Sequence, residues 1–401
     1  MKPISFILPS RNNLKYLKQA YESIRKNSSV EHEICIADDF SDDGTMEWVL
    51  VQMKRDKNIK FHRNHGPTRL GHTILYDTLV NDYATNDVVI IFHADMYLCP
   101  NADKEIEKYI QPGRVVSLTR IEPPLHPDGP EKILKDFGIE PEEFKEEKLL
   151  KYVENSEDKK PTFGIFAPWA IMKEDFQRIG GHDPLYAPQS KEDSDIFNRF
   201  VLNGYELIQT WKGFVYHMTS RGSRFKDGAM RNPAGQVFMK GRESSEWLEQ
   251  NLRSTRNFIR KWGHMVKHDE MMFPIIPHKY DVGFVAYNCN VNLLKELEPW
   301  CNTIYLDYGS DYMGEYKKEE QPNTQFNLDE RIKLYGNSKI SELHDVCVEF
   351  DCNDLTAQNF QILVNLSEIL EDSGEVGEMK YEIFKFYINS LKTYEKGLIK
   401  V

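Results

Sequence analysis

The feature that most constrains the fold of this chain is an uninterrupted apolar run at residues 88–92, which ends at His93-Ala94-Asp95. Five apolar residues in a row are too continuous for a half-exposed strand and too few for an ordinary helix. The run therefore predicts a buried central strand of a mostly parallel sheet. Asp95 follows the carboxyl end of this strand, where open α/β sheets bind their ligands. A carboxylate there is either a ligand-binding group or a turn residue that accepts from local backbone donors.

Further short apolar runs alternate with helical patterns along the first part of the chain. Residues 4–8, 33–37 and 59–62 predict strands, and each is followed by loop or N-cap residues and a helix. Alternation of this kind with short connections predicts a parallel, doubly wound α/β sheet. The second strand leads into the acid-rich stretch at 38–43, which is either a capping turn with solvated carboxylates or a site that recognises donor groups or a cation.

Four segments in this order carry a family resemblance: Leu8-Pro-Ser-Arg-Asn, then Ala37-Asp-Asp-Phe-Ser-Asp-Asp-Gly-Thr, then Asn64, Gly66 and Arg69, then Phe92-His-Ala-Asp. Together they resemble the nucleotide-sugar half of a family 2 glycosyltransferase, which has the Rossmann-like GT-A fold of nucleotide-diphospho-sugar transferases. The family's usual Asp-x-Asp reads His93-Ala94-Asp95 here. The resemblance implies that Asp95 bridges a metal and the donor diphosphate, and it leaves His93 as either a donor contact or a structural residue.

The resemblance also implies where the donor binds. The expected donor-binding residues are Pro9, Ser10, Arg11, Asp38, Asp39, Arg69, His93, Asp95 and Arg221.

A second group of motifs lies between residues 164 and 217. An apolar turn containing Trp169, the loop Gly180-Gly-His182 and the helix start Lys191-Glu-Asp-Ser-Asp195 follow one another. The resembled family places an acceptor loop, a Gly-Gly turn and a Glu-Asp pair in this order. The resemblance implies catalytic roles for Asp193, as the base, and for Glu192, and acceptor contacts for Trp169, His182 and Asp195. Without the resemblance, Glu192, Asp193 and Asp195 have a second interpretation: they are acids in the first turn of a helix that complement the helix dipole.

His217 follows a short aromatic strand. Many relatives supply a further metal ligand from this position, although a single histidine after a strand is also commonly structural. An aspartate with an imidazole suits Mn²⁺ better than Mg²⁺, which prefers oxygen ligands throughout. The expected cofactor is Mn²⁺ or Mg²⁺, bound by Asp95 and His217.

The net charge of the chain limits the classes of partner that it can bind. A net charge of −12 and a pI near 5.6 exclude a protein whose whole surface binds nucleic acid or an anionic membrane. One stretch, residues 221–261 (the basic segment), has ten Lys or Arg against four acids, with aromatic residues between them. These bases bind a polyanion or donor phosphates, or they line the outside of a helix whose aromatics enter the core. The resemblance implies a saccharide acceptor, and the basic segment leaves a modified nucleic acid open as an alternative.

The remaining features concern location and domains. Six cysteines without a CxxC pair predict a reduced, cytoplasmic setting, and the short apolar runs predict no integral membrane association. We expect a GT-A domain at 1–270, interrupted by a charged helical insertion at 121–161. After a proline-containing break, a small α/β domain of unknown role is expected at 271–401, with a last helix at 380–398.

The resemblance thus implies a metal-dependent glycosyltransferase that uses a nucleotide-diphosphate sugar, such as a UDP-sugar, with inversion. Two alternatives are a non-catalytic sugar-nucleotide-binding protein, which the histidine at position 93 would suit, and a nucleotidyltransferase. The second is disfavoured because the loop after the first strand lacks the expected glycine-rich sequence.

Overall fold

The computed structural model describes residues 2–157, 159–218, 229–239, 244–307, 311–336 and 339–393. The chain divides into two compact units. The N-terminal unit comprises Met1–Asn251 and His268–Ile275, and the C-terminal unit comprises Leu252–Lys267 and Ile276–Lys400. The chain thus passes between the units three times: inside a helix after Asn251, after Lys267, and after Ile275, within the proline-containing break. No helix among the described residues is both long and apolar enough to cross a bilayer.

The N-terminal unit is built on one large sheet. Its strands are β1 (Ile4–Ser10), β2 (His32–Asp39), β3 (Ile59–Asn64), β4 (Val88–Ile91), β5 (Met96–Leu98), β6 (Arg114–Glu122), β7 (Ile133–Leu134), β8 (Thr162–Phe163), β9 (Trp169–Met172) and β10 (Glu206–His217). The main order is β3-β2-β1-β4-β9-β6-β10-β5, with β7 beside β6 and β8 beside β10. The first four strands are parallel, as predicted, whereas β9 runs antiparallel between β4 and β6. A separate hairpin pairs β11 (Ala229–Arg231) with β12 (Val237–Met239).

Thirteen α-helices lie in the described residues. They are α1 (Leu14–Asn27), α2 (Thr45–Arg55), α3 (Gly71–Thr78), α4 (Ala102–Tyr109), α5 (Glu146–Glu154), α6 (Lys173–Ile179), α7 (Glu192–Leu202), α8 (Ser245–Trp262), α9 (Val291–Leu297), α10 (Asp311–Glu320), α11 (Leu328–Arg331), α12 (Phe360–Val364) and α13 (Leu366–Ser373). A π-helical turn, Leu79–Tyr83, continues α3.

Burial of the central strands on both faces explains their apolar runs. On β1, Phe6 packs on one side of the sheet with Leu17 of α1, while Ile7 packs on the other side with Leu75 of α3. A strand covered by helices on both sides needs apolar residues at successive positions, not only at alternate ones. Because β1, β2 and β4 are parallel, their carboxyl ends lie at one edge of the sheet, and each is followed by polar residues.

The C-terminal unit has its own sheet and core. Its strands are β13 (Val282–Tyr287), β14 (Thr303–Leu306), β15 (Ile332–Leu334), β16 (Val346–Asp351), β17 (Gly377–Tyr381) and β18 (Phe384–Ile388), in the order β15-β14-β13-β16-β18-β17. The first four are parallel, and β18 and β17 are antiparallel. Alternate residues such as Phe284, Val348 and Phe386 pack with the helices in one core. The predicted fold class, a GT-A-type α/β unit with a smaller α/β unit, is confirmed.

Two predicted elements are wrong. Residues 380–388 form most of a β-hairpin, not a helix, because Phe384, Phe386 and Ile388 alternate with polar residues and enter the core; the end of the predicted helix lies outside the described residues. The insertion at 121–161 contains one α-helix, α5, and is otherwise largely extended or irregular. Its first ten residues include four prolines, which cannot donate a helical hydrogen bond.

Candidate active site

Three potential metal ligands meet where β4 ends. The chain turns from β4 into the short strand β5, which pairs with the end of β10, so that His217 lies opposite Met96. Through this pairing His217 reaches Asp95, with 3.4 Å between His217 Nε2 and Asp95 Oδ1. The ligand atoms of His93, Asp95 and His217 all lie within 4.8 Å of one another. The structure thus brings together Asp95 and His217, the two expected metal ligands, and adds His93; their binding of a metal stays a prediction.

Glu122, which the sequence analysis missed, orients His217. Glu122 Oε1 lies 2.9 Å from His217 Nδ1 and 3.0 Å from Arg120, while Glu122 Oε2 lies 3.7 Å from Lys132. A carboxylate on one ring nitrogen fixes the imidazole so that the other nitrogen faces a metal. No local signal marks Glu122 in the sequence, because its contact with His217 depends on the pairing of β6 with β10.

The electrostatics suit a divalent cation. Burial and the neighbouring His217 lower the pKa of His93 to about 3, so its imidazole is neutral. Burial opposes ionisation of Asp95, but His217 and His93 outweigh it and lower the pKa of Asp95 to about 2. Burial opposes protonation of His217, but Asp95 and Glu122 outweigh it and raise the pKa of His217 to about 9. Because metals bind neutral imidazoles and ionised carboxylates, a cation would displace the proton of His217. Two imidazoles and one carboxylate fit Mn²⁺ better than Mg²⁺.

The proposed base lies at the start of α7. Burial and the adjacent Glu192 raise the pKa of Asp193 to about 6. Glu192 itself is held by His72, with 2.5 Å between His72 Nε2 and Glu192 Oε1. Burial favours the neutral form of Glu192, but the His72 interaction outweighs it and lowers the pKa of Glu192. An ionised Glu192 therefore keeps its neighbour basic despite the helix N-terminus.

Besides burial, the charges of Asp95 and Asp193 both raise the pKa of one side chain, that of Tyr76. Tyr76, in α3, is buried, and its pKa is raised by that burial and then by the charges of Asp193, Glu192 and Asp95. Arg120, which is ion-paired to Glu122, also interacts with the charge of Asp193. Tyr76 thus interacts with the charges of both Asp95, a potential metal ligand, and Asp193, the proposed base.

The acids of the second strand support the surrounding loops. Asp38 is buried, ion-paired to Arg63 and bonded to the Ser41 backbone N–H at 3.0 Å. Asp39 accepts hydrogen bonds from Asn64 Nδ2 at 2.7 Å and from the backbone of Leu70 and Gly71 at 3.0 and 2.8 Å. Both carboxylates therefore already fix the loops beside β1, and their contact with a donor stays a prediction.

The loop after β1 offers polar atoms to a ligand. Ser10 Oγ and Arg11 Nε are buried and have no hydrogen-bond partner among the described residues, and Pro9 precedes them. Arg69 lies 3.8 Å from Asp39 and donates to Gln189 Oε1 at 2.6 Å. Arg221, the last expected donor contact, lies outside the described residues.

Two predicted acceptor contacts are wrong. Trp169 is fully buried among Phe176, Phe197 and Phe200, so neither ring face can stack on an acceptor. Asp195 is also fully buried, because it pairs with Arg199 at 2.8 Å inside the unit. The sequence around Trp169 and Asp195 does not show whether such a residue packs in the core or lines the acceptor site.

The buried pair supports the Gly-Gly loop. Arg199 donates to the carbonyl oxygens of Ile179 and Gly181 at 2.8 and 2.7 Å. Gly181 has φ +66°, and a Cβ there would lie 2.1 Å from Asp77 Oδ2. The same Asp77 binds His182 Nδ1 at 2.7 Å, whereas His182 Nε2 is buried and has no partner among the described residues. His182 therefore keeps one nitrogen for a further contact.

The basic segment is partly neutralised. Arg231 binds Asp136 and Glu143 at 2.7 and 3.0 Å. In the C-terminal unit, Arg256 and Arg260 bind acids of that unit. Residues 221, 224, 226, 240 and 242 lie outside the described residues. The described arginines named here therefore have carboxylate partners and do not form an open cationic surface.

Comparisons with known proteins agree with this architecture. Residues 5–180 match the family model described as Glycosyl transferase family 2. None of the curated proteins matches the chain.

Similar solved structures include GalNAc-T7 with UDP, GalNAc and Mn²⁺ (TM-score 0.42, 16% identity, 54% of this chain and 43% of that chain). They also include the mannosyltransferase PcManGT from Pyrobaculum calidifontis in complex with GDP-Man and Mn²⁺ (0.40, 17%, 54% and 57%) and S. aureus TarS 1–349 (0.37, 13%, 63% and 64%). This chain spans less than two thirds of the length of each. Residues 5–180, somewhat less than half of the chain, are therefore similar to family 2 glycosyltransferases.

Proposed function

We propose that the N-terminal unit is a metal-dependent glycosyltransferase that moves a sugar from a nucleotide-diphosphate sugar, such as a UDP-sugar, to an acceptor hydroxyl. The observation that carries the proposal is the pair of acids near Tyr76. Asp95 is ionised beside two histidines, whereas Asp193 has a pKa of about 6. Two carboxylates with separated pKa values are typical of a site that divides metal binding and proton transfer between them.

The reaction assigned to this site is a direct displacement. The acceptor oxygen forms a bond to C1 of the donor sugar while the bond from C1 to the diphosphate oxygen breaks, and the acceptor proton moves to Asp193. Attack from the face opposite the leaving group inverts the configuration at C1. A base with a pKa near neutrality is ionised at physiological pH and still accepts a proton well.

The three potential metal ligands have a proposed role in the departure of the diphosphate. His93, Asp95 and His217 would hold Mn²⁺ or Mg²⁺, which supplies positive charge against the diphosphate as the bond to C1 breaks. Glu122 acts as a positioning residue for His217. The unpartnered Ser10 Oγ and Arg11 Nε are available to the nucleotide, and Arg69 lies near the same loop through Asp39.

The charges favour a saccharide acceptor over nucleic acid. The base is accompanied by Glu192, whose Oε2 is buried without a partner among the described residues, and a polyanion would be repelled there. Hydroxyl groups can instead donate to Glu192 Oε2 and exchange hydrogen bonds with His182 Nε2. A modified nucleic-acid acceptor is retained as an outcome of the acceptor test.

The test separates donor binding from transfer. The full chain is incubated with a panel of UDP- and GDP-sugars, saccharide or nucleic-acid acceptors and Mn²⁺, and product is detected by its mass shift. Asp193→Asn is expected to bind donor normally but to lower kcat by about 100- to 10,000-fold. Asp82→Asn, at an exposed site, serves as the matched control and should keep full activity.

Three results would contradict the proposal. Full turnover by Asp193→Asn would remove the base. Nucleotide binding with no sugar release for any donor would indicate a non-catalytic binding protein, the reading that His93 first suggested. Release of pyrophosphate from a nucleoside triphosphate and a sugar phosphate would indicate a nucleotidyltransferase.

A further inference from the structure

The C-terminal unit has an open strand at one edge of its sheet. β17 pairs with β18 on one side, and no described strand pairs with its other side. Four of its five residues are exposed, and the apolar side chains of Val376 and Tyr381 are 67% and 59% exposed. An uncovered edge of this kind presents free backbone N–H and C=O groups that can pair with another chain.

The hairpin geometry fixes which residues present these groups. A two-residue loop, Glu382-Ile383, joins β17 to β18, so the flanking residues Tyr381 and Phe384 form a hydrogen-bonded pair. Such pairs alternate along an antiparallel ladder. Met379 therefore directs its backbone groups towards β18, whereas Glu378 and Lys380 direct theirs towards the open edge.

We propose that β17 is a self-association surface, and that its partner is β17 of a second copy of this chain, paired antiparallel about a two-fold axis at Met379. In this arrangement Glu378 lies opposite Lys380 of the second copy, and Lys380 lies opposite its Glu378. Both residues have outward backbone groups, so each of these two pairs is hydrogen-bonded. A two-fold interface requires such a self-complementary surface.

The charges select this register. A shift by one residue would place outward backbone groups opposite inward ones and lose the ladder. A shift by two residues in one direction opposes Lys380 to itself, and in the other it opposes Glu378 to itself. Like charges directly opposite each other destabilise an antiparallel pair, whereas opposite charges stabilise it. Among the neighbouring registers, only the one centred on Met379 pairs opposite charges.

The two faces of the strand support the same pairing. Lys380 lies opposite Lys385 within the chain, so an acid on its other side relieves a like-charge contact. On the core face, Met379 packs against the apolar core, and Tyr381 would lie opposite Gly377 of the second copy. An aromatic ring across from a strand glycine covers the backbone that the glycine leaves exposed.

Charge-reversed variants test the proposal by sedimentation equilibrium on the full chain. The native chain is expected to form dimers at high concentration. Lys380→Glu and Glu378→Lys each create two like-charge pairs, and each should weaken dimerisation by about 100-fold or more. Mixed together, the two variants oppose only Glu to Lys and should form a heterodimer. Lys318→Glu, an equal charge change at an exposed position of α10, should dimerise like the native chain.

Hydrogen exchange provides a second readout. The amides of Glu378 and Lys380 should exchange more slowly in concentrated native protein than in dilute protein, whereas the Met379 amide, bonded within the hairpin, should not change. Any of three results would overturn the proposal: a native chain that stays monomeric, undiminished dimerisation of Lys380→Glu, or a mixture of the two variants that stays monomeric. The proposal is independent of the glycosyltransferase activity.

Discussion

Asp193 is the residue whose surroundings bear most directly on the proposed reaction, because they set the pKa of the proposed base. Burial and the charge of Glu192 raise its pKa to about 6, and only the ionised form can accept the acceptor proton. Below this pKa the group is protonated and inactive as a base. We therefore predict that kcat/KM rises with pH, reaches half its plateau near pH 6, and changes little just above pH 7, as measured from initial rates at saturating metal.

Glu192→Gln tests the cause of this shift. Removing the neighbouring charge should lower the pKa of Asp193, so the acid limb should move to lower pH, although burial would keep it above the value of a free aspartate. Glu174→Gln, at an exposed position of α6, should leave the limb unchanged. An acid limb at the same pH in Glu192→Gln and native enzyme would show that a different group titrates.

Single residues also show how far the sequence could predict the site. Motif order named Asp95, Asp193 and His217; the structure places His217 beside Asp95, and the role of Asp193 stays a prediction. Glu122 could not be found, because its contact with His217 depends on the pairing of strands distant in sequence. Trp169 was misassigned for the opposite reason: residue type indicates that an aromatic ring can stack, but only packing decides whether a ring face is open.

At the scale of elements, α7 carries Asp193, the proposed base, and also supports the Gly-Gly loop. The buried Asp195–Arg199 pair lies within this helix, and Arg199 binds the carbonyl groups of Ile179 and Gly181. Removing one partner of a buried pair leaves the other charge uncompensated. We predict that Asp195→Ala lowers the free energy of unfolding by about 3–5 kcal/mol, as measured by urea denaturation.

A surface ion pair in the same unit provides the comparison. Lys26 binds Glu146 at 2.8 Å, but its side chain is 57% exposed. Lys26→Ala is expected to change the free energy of unfolding by less than about 1 kcal/mol. Similar losses for the two variants would mean that the buried pair does not stabilise the loop as described.

Element prediction succeeded where burial alone sets the pattern. The largely apolar runs of β1, β2 and β4 were correctly predicted as strands, because two-sided burial leaves few polar positions in them. The hairpin of β17 and β18 was predicted as a helix because its charged and aromatic residues are compatible with both periods. Pairing of β18 with β16 decides between them, and that contact spans about 40 residues of sequence.

At the scale of the whole molecule, the two sheets begin with the same order. β3-β2-β1-β4 and β15-β14-β13-β16 are each parallel, with the first strand next to the second and fourth. Their carboxyl ends differ. In the C-terminal unit, Asp307 and Asp351 are bound by Asn288 at 3.1 and 2.9 Å. In the N-terminal unit, three potential ligands converge beyond β4. A shared topology therefore does not by itself confer a metal site.

A cation bound by His93, Asp95 and His217 should stabilise the whole N-terminal unit, because a cation that binds only the folded state shifts the unfolding equilibrium. At 100 times its Kd, Mn²⁺ should add about 2.7 kcal/mol to the free energy of unfolding and slow globally exchanging core amides of β1 and β4 by about 100-fold. Mg²⁺ at the same concentration should slow them less, because two of the three ligands are imidazoles. Native-state hydrogen exchange measures both effects.

Two variants locate this stabilisation in the cluster and its support. Asp95→Ala removes the carboxylate ligand and should abolish the slowing by Mn²⁺. Glu122→Gln keeps the size of the side chain but loses the charge that orients His217, and loss of such a partner weakens metal binding by about 10- to 100-fold. Glu131→Gln is the matched control, since Glu131 contacts Arg120 and Lys132 but has no recorded contact with His217. Equal slowing by Mn²⁺ in native protein and Asp95→Ala would place the cation elsewhere, because the variant lacks the carboxylate ligand of the proposed site.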